Sequence, residues 1–107
     1  VLAKAAALCA EIGSPWFGIA ADTYHMNIEE ADPIKALFES AGWIRHIQLS
    51  DSNRLEPTAG HIDWSMTLAA IAAIDYADEL AYECRLSGEL DEVLPVSVRR
   101  IRQLAWS

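Results

Sequence analysis

The alternation of apolar runs with helical segments is the feature that most constrains the fold of this chain. Three short apolar runs of strand length lie between longer segments of helical composition, and turn residues separate them. The resulting order is α-β-α-β-α-β-α. Because strands joined through a helix pair in parallel with a right-handed crossover, this order predicts an α/β fold built on a parallel sheet.

Capping residues set the predicted boundaries of these segments. Gly13 and Pro15 end the first helix, Asp32 and Pro33 begin the second, and Asp63 is the expected N-cap of the third. The residues after the first strand, 23–31, are predicted to form a polar loop. The chain is expected to be one domain over residues 1–107, with helices at 1–12, 32–41, 63–74 and 91–105 and strands at 16–22, 43–50 and 79–84.

The length of the chain, 107 residues, is small for a parallel sheet. Such a sheet needs both faces covered, and its outer strands expose unpaired edges. A closed (β/α)8 barrel takes about 250 residues, more than twice this length. We therefore expect a partial barrel whose open surface is covered by a second copy, in a homo-oligomer, or by a complementing half-barrel.

Composition and charge narrow the classes of partner. The net charge of −8 argues against nucleic acid, which needs a surface rich in Lys and Arg. We find no signal peptide and no apolar run long enough to span a membrane. The two cysteines, Cys9 and Cys84, are too few for a disulfide framework, so reduced thiols in a cytoplasmic protein are expected.

Polar side chains stand at the end of each predicted strand. Asp22, Gln48 and Glu83 are separated by 26 and 35 residues, each interval close to one βα unit of roughly 30 residues. Oxygen-bearing groups are therefore predicted at the same height, at the edge where parallel α/β folds place functional residues. These oxygens suit a hard divalent cation such as Mg²⁺ or Mn²⁺. The alternative is that Asp22 and Glu83 are solvated residues that cap loops or pair with Arg54 or Arg85.

The alternation of side chains along the strands predicts two different faces. The face that carries the three polar strand-end residues is small or polar, and the opposite face is bulky and apolar. On the first face we also expect Gly18, Ala20, Ile44, His46 and Ala81, and on the second Phe17, Ile19, Ile47, Leu49, Leu80 and Tyr82. This pattern is typical of a barrel with a site at its mouth.

Four segments resemble a known family. Residues 22–30 are similar to the signature D-T-[FY]-H-M-N-I-E-E of the xylose-isomerase-like TIM barrels, and residues 46–54 to its H-[VI]-[HQ]-x-x-D-S-N-R stretch. Residues 57–63 and 82–84 resemble its segments P-G-x-G-x-I-D and [VI]-E-[CP]. The family includes ketose 3-epimerases and hydroxypyruvate isomerase. The resemblance implies a metal-dependent sugar isomerase or epimerase, of which this chain is the C-terminal part, about strands six to eight.

The resemblance also implies residue roles. Asp22, Gln48 and Glu83 match positions that bind Mn²⁺ or Mg²⁺, and Glu83 is in addition a catalytic proton carrier. His25 and Arg54 match residues that hold the substrate, a small sugar or hydroxy-carbonyl compound. The family usually has His at the position of Gln48, whereas members similar to hydroxypyruvate isomerase have Gln, which points away from the classical 3-epimerases. In the implied mechanism the metal stabilises an enediolate while one Glu removes a proton and another returns it.

Two departures from the family pattern limit what this chain supplies. The second catalytic Glu of the family precedes residue 1, and Thr58 stands where the family usually has Gly. A non-catalytic, self-associating half-barrel with a vestigial metal site is therefore the alternative function.

Two other functional classes are disfavoured by the sequence. The acidic charge disfavours a metal-dependent nuclease, and the absence of a Gly-rich phosphate loop disfavours a flavodoxin-like domain. Asp51 is predicted to shape its loop, and Trp64 to pack in the core or to line the mouth.

Overall fold

Helices and parallel strands alternate along the computed structural model, which describes residues 2–105. Val1, which the first predicted helix included, lies outside the described residues. The elements are helix α1 (Leu2–Ile12), strand β1 (Ile19–Asp22), helices α2 (Thr23–Glu29) and α3 (Pro33–Ser40), a 3-10 turn (Ala41–Trp43), strand β2 (Ile44–Leu49), helix α4 (Trp64–Ala73), strand β3 (Leu80–Tyr82) and helix α5 (Leu90–Ala105). The sheet order is β1-β2-β3, and both pairings are parallel. Among the described helices, none is both long and apolar enough to cross a membrane.

Three regions differ from the elements predicted from the sequence. One is the strand predicted at 79–84, which the structure forms only at Leu80–Tyr82, so Glu83 follows the strand rather than lying within it. The loop predicted at 23–31 contains helix α2, because the Asp22 carboxylate caps it. Asp22 Oδ1 accepts a hydrogen bond from the His25 backbone N–H at 3.0 Å. Strand β1 begins at Ile19 rather than at Trp16, whose side chain is 93% exposed and lies before the first paired residue.

An irregularity near the start of the sheet changes which residue faces the helices. The register between β1 and β2 shifts between Ile19 and Ala20, so Arg45 is an extra residue in β2. Ile44 is consequently buried, whereas Arg45 is exposed. The prediction that Ile44 shares a face with Gln48 was therefore wrong, because the bulge shifts the alternation by one residue.

Beyond this bulge, strands β1 and β2 have the two predicted faces. Leu80 of β3, predicted on the buried face, is 38% exposed, and Phe17, predicted on the same face, precedes the sheet and is 50% exposed. Ile47 and Leu49 are each 1% exposed beneath the helices, with Ile19 and Ala21 buried beside them. The opposite face carries residues that range from half-buried to exposed, namely Ala20, His46 and Gln48. This is the face that a closed barrel turns inward, and in this chain it meets solvent.

Candidate active site

The carboxyl edge of the sheet holds the predicted metal ligands at two heights. Asp22 pairs with Gln48 and Gln48 with Ala81, so Asp22 and Gln48 are direct neighbours. Glu83 lies two residues beyond Ala81, roughly 7 Å further along the strand direction, and its N–H donates to Leu49 O at 3.1 Å. Asp22 and Gln48 are half-buried, and Glu83 is exposed. The structure thus brings the first two together and places Glu83 further out than the predicted common height.

The oxygen donors at this edge suit a divalent cation in kind but are few in number. Two carboxylates and an amide are hard ligands of the type that Mn²⁺ and Mg²⁺ take. Within residues 2–105, however, no three His, Cys, Asp or Glu side chains lie close enough together to hold a metal ion. Asp22 also commits Oδ1 to the cap of α2, which leaves Oδ2 for a cation. A cation held at this edge would therefore take the rest of its coordination shell from water or from groups outside residues 2–105.

His25 and Arg54, the predicted substrate-binding residues, are in contact. Arg54 Nη1 lies 3.0 Å from His25 Nε2. A guanidinium can only donate, so Nε2 accepts and the imidazole carries its proton on Nδ1. Arg54 Cζ lies 4.8 Å from the centroid of the Tyr24 ring, and the His25 ring meets that ring edge-on at 5.1 Å. The first turn of α2 and the loop after β2 therefore bring an arginine, a histidine and an aromatic ring together beside Asp22.

The backbone of Arg54 is held on both sides. Its φ of 68° lies in the left-handed region, which costs a residue with a side chain about 1 kcal/mol. Its N–H donates to Asp51 O at 3.0 Å, and its carbonyl accepts from Arg85 N at 2.8 Å. These bonds join the loop after β2 to the segment after β3 at the residue predicted to meet the substrate.

Asp51 organises the loop that carries Arg54. Its carboxylate is fully buried and accepts hydrogen bonds from the backbone N–H groups of Ser52 at 2.7 Å, Thr58 at 2.8 Å and Ile62 at 3.1 Å. The indole Nε1–H of Trp64 donates to the same carboxylate at 2.8 Å. The predicted loop-shaping role of Asp51 is therefore confirmed, and sequence reasoning missed only how many groups depend on it.

The surroundings of Asp51 explain two other features of this region. Trp64 is 4% exposed beneath the loop, so it packs in the core and does not line the mouth. Gly60 is required because a Cβ at that position would lie 2.5 Å from Asp51 Oδ1. The glycine at position 60 of the 57–63 motif was the sequence signal that another group, here the Asp51 carboxylate, packs closely against the backbone at that point.

Glu56 forms a second connection between the loop after β2 and the segment after β3, and sequence reasoning gave it no role. It is 6% exposed, and its two carboxylate oxygens accept from the backbone N–H and the hydroxyl of Ser87, each at 2.8 Å. Burial raises the pKa of Glu56, but the Ser87 hydrogen bonds outweigh it and the pKa lies below its ordinary value. The carboxylate is therefore held in its charged form by the segment after β3.

Thr23 fixes the relative position of the first two strand ends. Its hydroxyl donates to Ser50 O at 2.7 Å and accepts from Ser50 N at 2.9 Å, and both residues are buried. The loop that carries Arg54 therefore begins at a fixed distance from Asp22. Sequence reasoning gave Thr23 no role, although its place within the 22–30 motif was an available signal.

A parallel sheet with polar side chains at its carboxyl edge and helices on its apolar face defines a section of a (β/α)8 barrel. The family follows from comparison with known proteins. The chain belongs to the xylose isomerase-like TIM barrel family, whose model matches residues 2–104. The resemblance carried by the four sequence segments is thereby confirmed.

The relatives of this chain include sugar epimerases. It is 37% identical over 92 residues to an L-ribulose 3-epimerase of Mesorhizobium japonicum, a match that covers 86% of this chain and 31% of the relative. A ketose 3-epimerase of Arthrobacter globiformis is 32% identical over 80 residues, or 75% of this chain and 28% of the relative. The solved structure of an E. coli 3-keto-D-glucoside 4-epimerase has a TM-score of 0.91 at 27% identity, over 96% of this chain and 40% of that one.

The chain spans about a third of the length of the relatives it matches. It is therefore a section of the barrel, and the strands that it supplies remain a prediction. Gln48 pointed towards the hydroxypyruvate isomerase side of the family, whereas the relatives described above are epimerases. The inference drawn from Gln48 also remains a prediction.

Thr58 has a φ of 83°, which strains a β-branched residue. We expect Thr58→Gly to raise the free energy of unfolding by about 1 kcal/mol, because glycine adopts this φ freely and keeps the N–H bonded to Asp51. Urea denaturation measures the change. Ala59→Gly is the matched control, since Ala59 is exposed and has a negative φ, and it should lose stability. A loss in both variants would show that Thr58 is not strained.

Proposed function

We propose that this chain supplies the C-terminal part, about strands six to eight, of a divalent-metal-dependent sugar isomerase or epimerase. The observation that carries the proposal is the arrangement at the carboxyl edge of the sheet. Asp22 and Gln48 lie side by side there, and the hydrogen-bonded pair of His25 and Arg54 lies next to them. The relatives support a ketose as substrate, since two are named as 3-epimerases of a ribulose or a ketose.

Each side chain has a role in the proposed reaction, which is proton transfer next to a carbonyl group. Asp22, Gln48 and Glu83 would hold the cation, which when bound supplies positive charge near the substrate oxygens. Glu83 would remove or return a proton at a substrate carbon, and a second Glu from outside this chain would act on the opposite face or the neighbouring carbon. His25 would donate from Nδ1, and Arg54 from its free N–H groups, to hydroxyl and carbonyl oxygens.

A non-catalytic half-barrel that associates with itself is the second candidate. Within residues 2–105 no three His, Cys, Asp or Glu side chains cluster as metal ligands, so a cation there would depend also on the Gln48 amide and on water, and the inner face around Ala20 meets solvent. That face needs cover, from a second copy of the chain or from the rest of the barrel. The second catalytic Glu separates the candidates, because isomerase activity requires the strands that would supply it.

Titration with Mn²⁺ tests the metal site independently of activity. We expect the 107-residue chain to bind Mn²⁺ in the calorimeter, and Asp22→Asn to bind about tenfold more weakly because a charged ligand is lost. Asparagine is as good an N-cap as aspartate, so helix α2 is retained. Asp78→Asn is the control and should bind like wild type, since Asp78 is exposed and precedes β3 at the other end of the sheet. Equal heats for wild type and Asp22→Asn would show that this edge holds no functional metal site.

A further inference from the structure

Arg54 carries a positive charge that no carboxylate neutralises by a direct ion pair within residues 2–105. Its two side-chain partners there are the accepting imidazole of His25 at 3.0 Å and the face of the Tyr24 ring, whose centroid lies 4.8 Å from Cζ. Arg54 is nevertheless half-buried. Neutral groups therefore hold this guanidinium in place.

We infer that Tyr24 is the positioning residue for Arg54 and acts through the negative face of its ring. The inference rests on the proposed function, because it concerns how Arg54 is presented to the substrate. A guanidinium that lies over an aromatic ring is attracted to the negative face of that ring. The N–H groups of the guanidinium lie in the guanidinium's own plane, so this attraction does not use them as donors. One of its five N–H groups donates to His25, and no hydrogen bond from the side chain of Arg54 to any other group is formed within residues 2–105. A carboxylate would hold Arg54 equally well but would occupy these donors and neutralise the charge.

The local structure explains why the ring is well placed for this role. Tyr24 and His25 are consecutive residues in the first turn of α2, and the Asp22 cap fixes the start of that turn. Their rings meet at an interplanar angle of 75°, so each restricts the rotation of the other. Arg54 arrives from the loop after β2 and contacts both rings. The ring of Tyr24 thus determines the position of the arginine relative to the Asp22 edge.

Two replacements of nearly equal shape separate ring electrostatics from packing. Tyr24→Phe keeps the negative ring face, whereas Tyr24→pentafluorophenylalanine reverses the charge of the face at similar size. In ¹⁵N relaxation of the whole chain, we expect the Arg54 Nε–H group to stay as ordered as wild type in the first variant. In the second it should become as mobile as a free surface arginine, while the backbone amides of α2 keep their positions. Equal order in both variants would overturn the inference.

A kinetic measurement tests the consequence for the site. In a barrel completed with the strands of the L-ribulose 3-epimerase relative that this chain lacks, Tyr24→Leu should raise KM about three- to fivefold and leave kcat nearly unchanged. Tyr24→Phe should keep the wild-type KM, whereas Tyr24→pentafluorophenylalanine, of similar size, should raise it as Tyr24→Leu does, which a loss of packing alone does not predict. If the completed barrel acts on no ketose, the proposed function fails, while the relaxation data still decide the role of Tyr24. A KM that is the same in all variants of an active barrel counts against the inference.

Discussion

Replacing Asp51 with alanine is expected to lower the free energy of unfolding by roughly 4 kcal/mol, the largest stability loss that we predict for the chain. The carboxylate is fully buried and accepts hydrogen bonds from the backbone of Ser52, Thr58 and Ile62 and from the Trp64 indole. Alanine leaves these donors buried without an acceptor. Urea denaturation followed by circular dichroism measures the loss.

Two further variants show whether hydrogen bonding is the cause. Asp51→Asn keeps one acceptor oxygen but turns an NH₂ group towards N–H donors, so an intermediate loss is expected. Asp78→Ala removes an exposed carboxylate and should change stability by less than about 0.5 kcal/mol. A loss below about 1 kcal/mol for Asp51→Ala would mean that the loop reorganises and that its donors find water.

Acid should remove the same stabilisation from the wild-type chain. Burial raises the pKa of Asp51, but hydrogen bonds from Trp64 and the neighbouring backbone outweigh it, so the folded pKa lies below its ordinary value. The pKa of Glu56 is lowered in the same way, by Ser87. A group with a lowered folded pKa contributes stability above its unfolded pKa and loses it as pH falls through the folded value. Stability should therefore fall below about pH 4, and less steeply in Asp51→Asn.

Helix starts were predictable from the sequence because capping is a local interaction. Asp32 and Asp63, the expected N-caps, accept from the backbone N–H of Lys35 at 3.1 Å and of Met66 at 3.0 Å. Helix α2 was missed although Asp22 caps it in the same way. Its seven residues are too few to show a helical period, and their polarity resembles that of a loop.

The site was predictable only as far as it depends on the alternation of side chains along a strand. Alternation and spacing place Asp22 beside Gln48, and the register agrees. Glu83 lies further along the strand direction than Asp22 and Gln48, and Arg45 forms a bulge. Both features depend on how the strands pair, which spacing in the sequence does not determine. The contacts of Asp51 depend on a folded loop whose partner Trp64 is 13 positions away, and no local signal encodes that distance.

Glu83→Gln is expected to lower kcat by about 10²- to 10⁴-fold in a barrel completed with the strands of the L-ribulose 3-epimerase relative that this chain lacks. Glutamine keeps the length of the side chain and one oxygen donor, but its amide cannot accept a proton. The proposed substrate contacts of His25 and Arg54 are unchanged, so KM should change far less than kcat. Steady-state epimerisation of a ketose measures both constants.

Exchange of the carbon-bound substrate hydrogen with D₂O makes this experiment specific for proton transfer. If Glu83 carries the proton, exchange and turnover fall together in Glu83→Gln, because both require the same carbon–hydrogen bond to break. Glu92→Gln is the matched control, since Glu92 is an exposed carboxylate in the first turn of α5 and should leave kcat at the wild-type value. A Glu83→Gln barrel with wild-type turnover would show that another group carries the proton. The exposed carboxylate of Glu83 would then be a solvated strand-end residue, as the alternative drawn from the sequence holds.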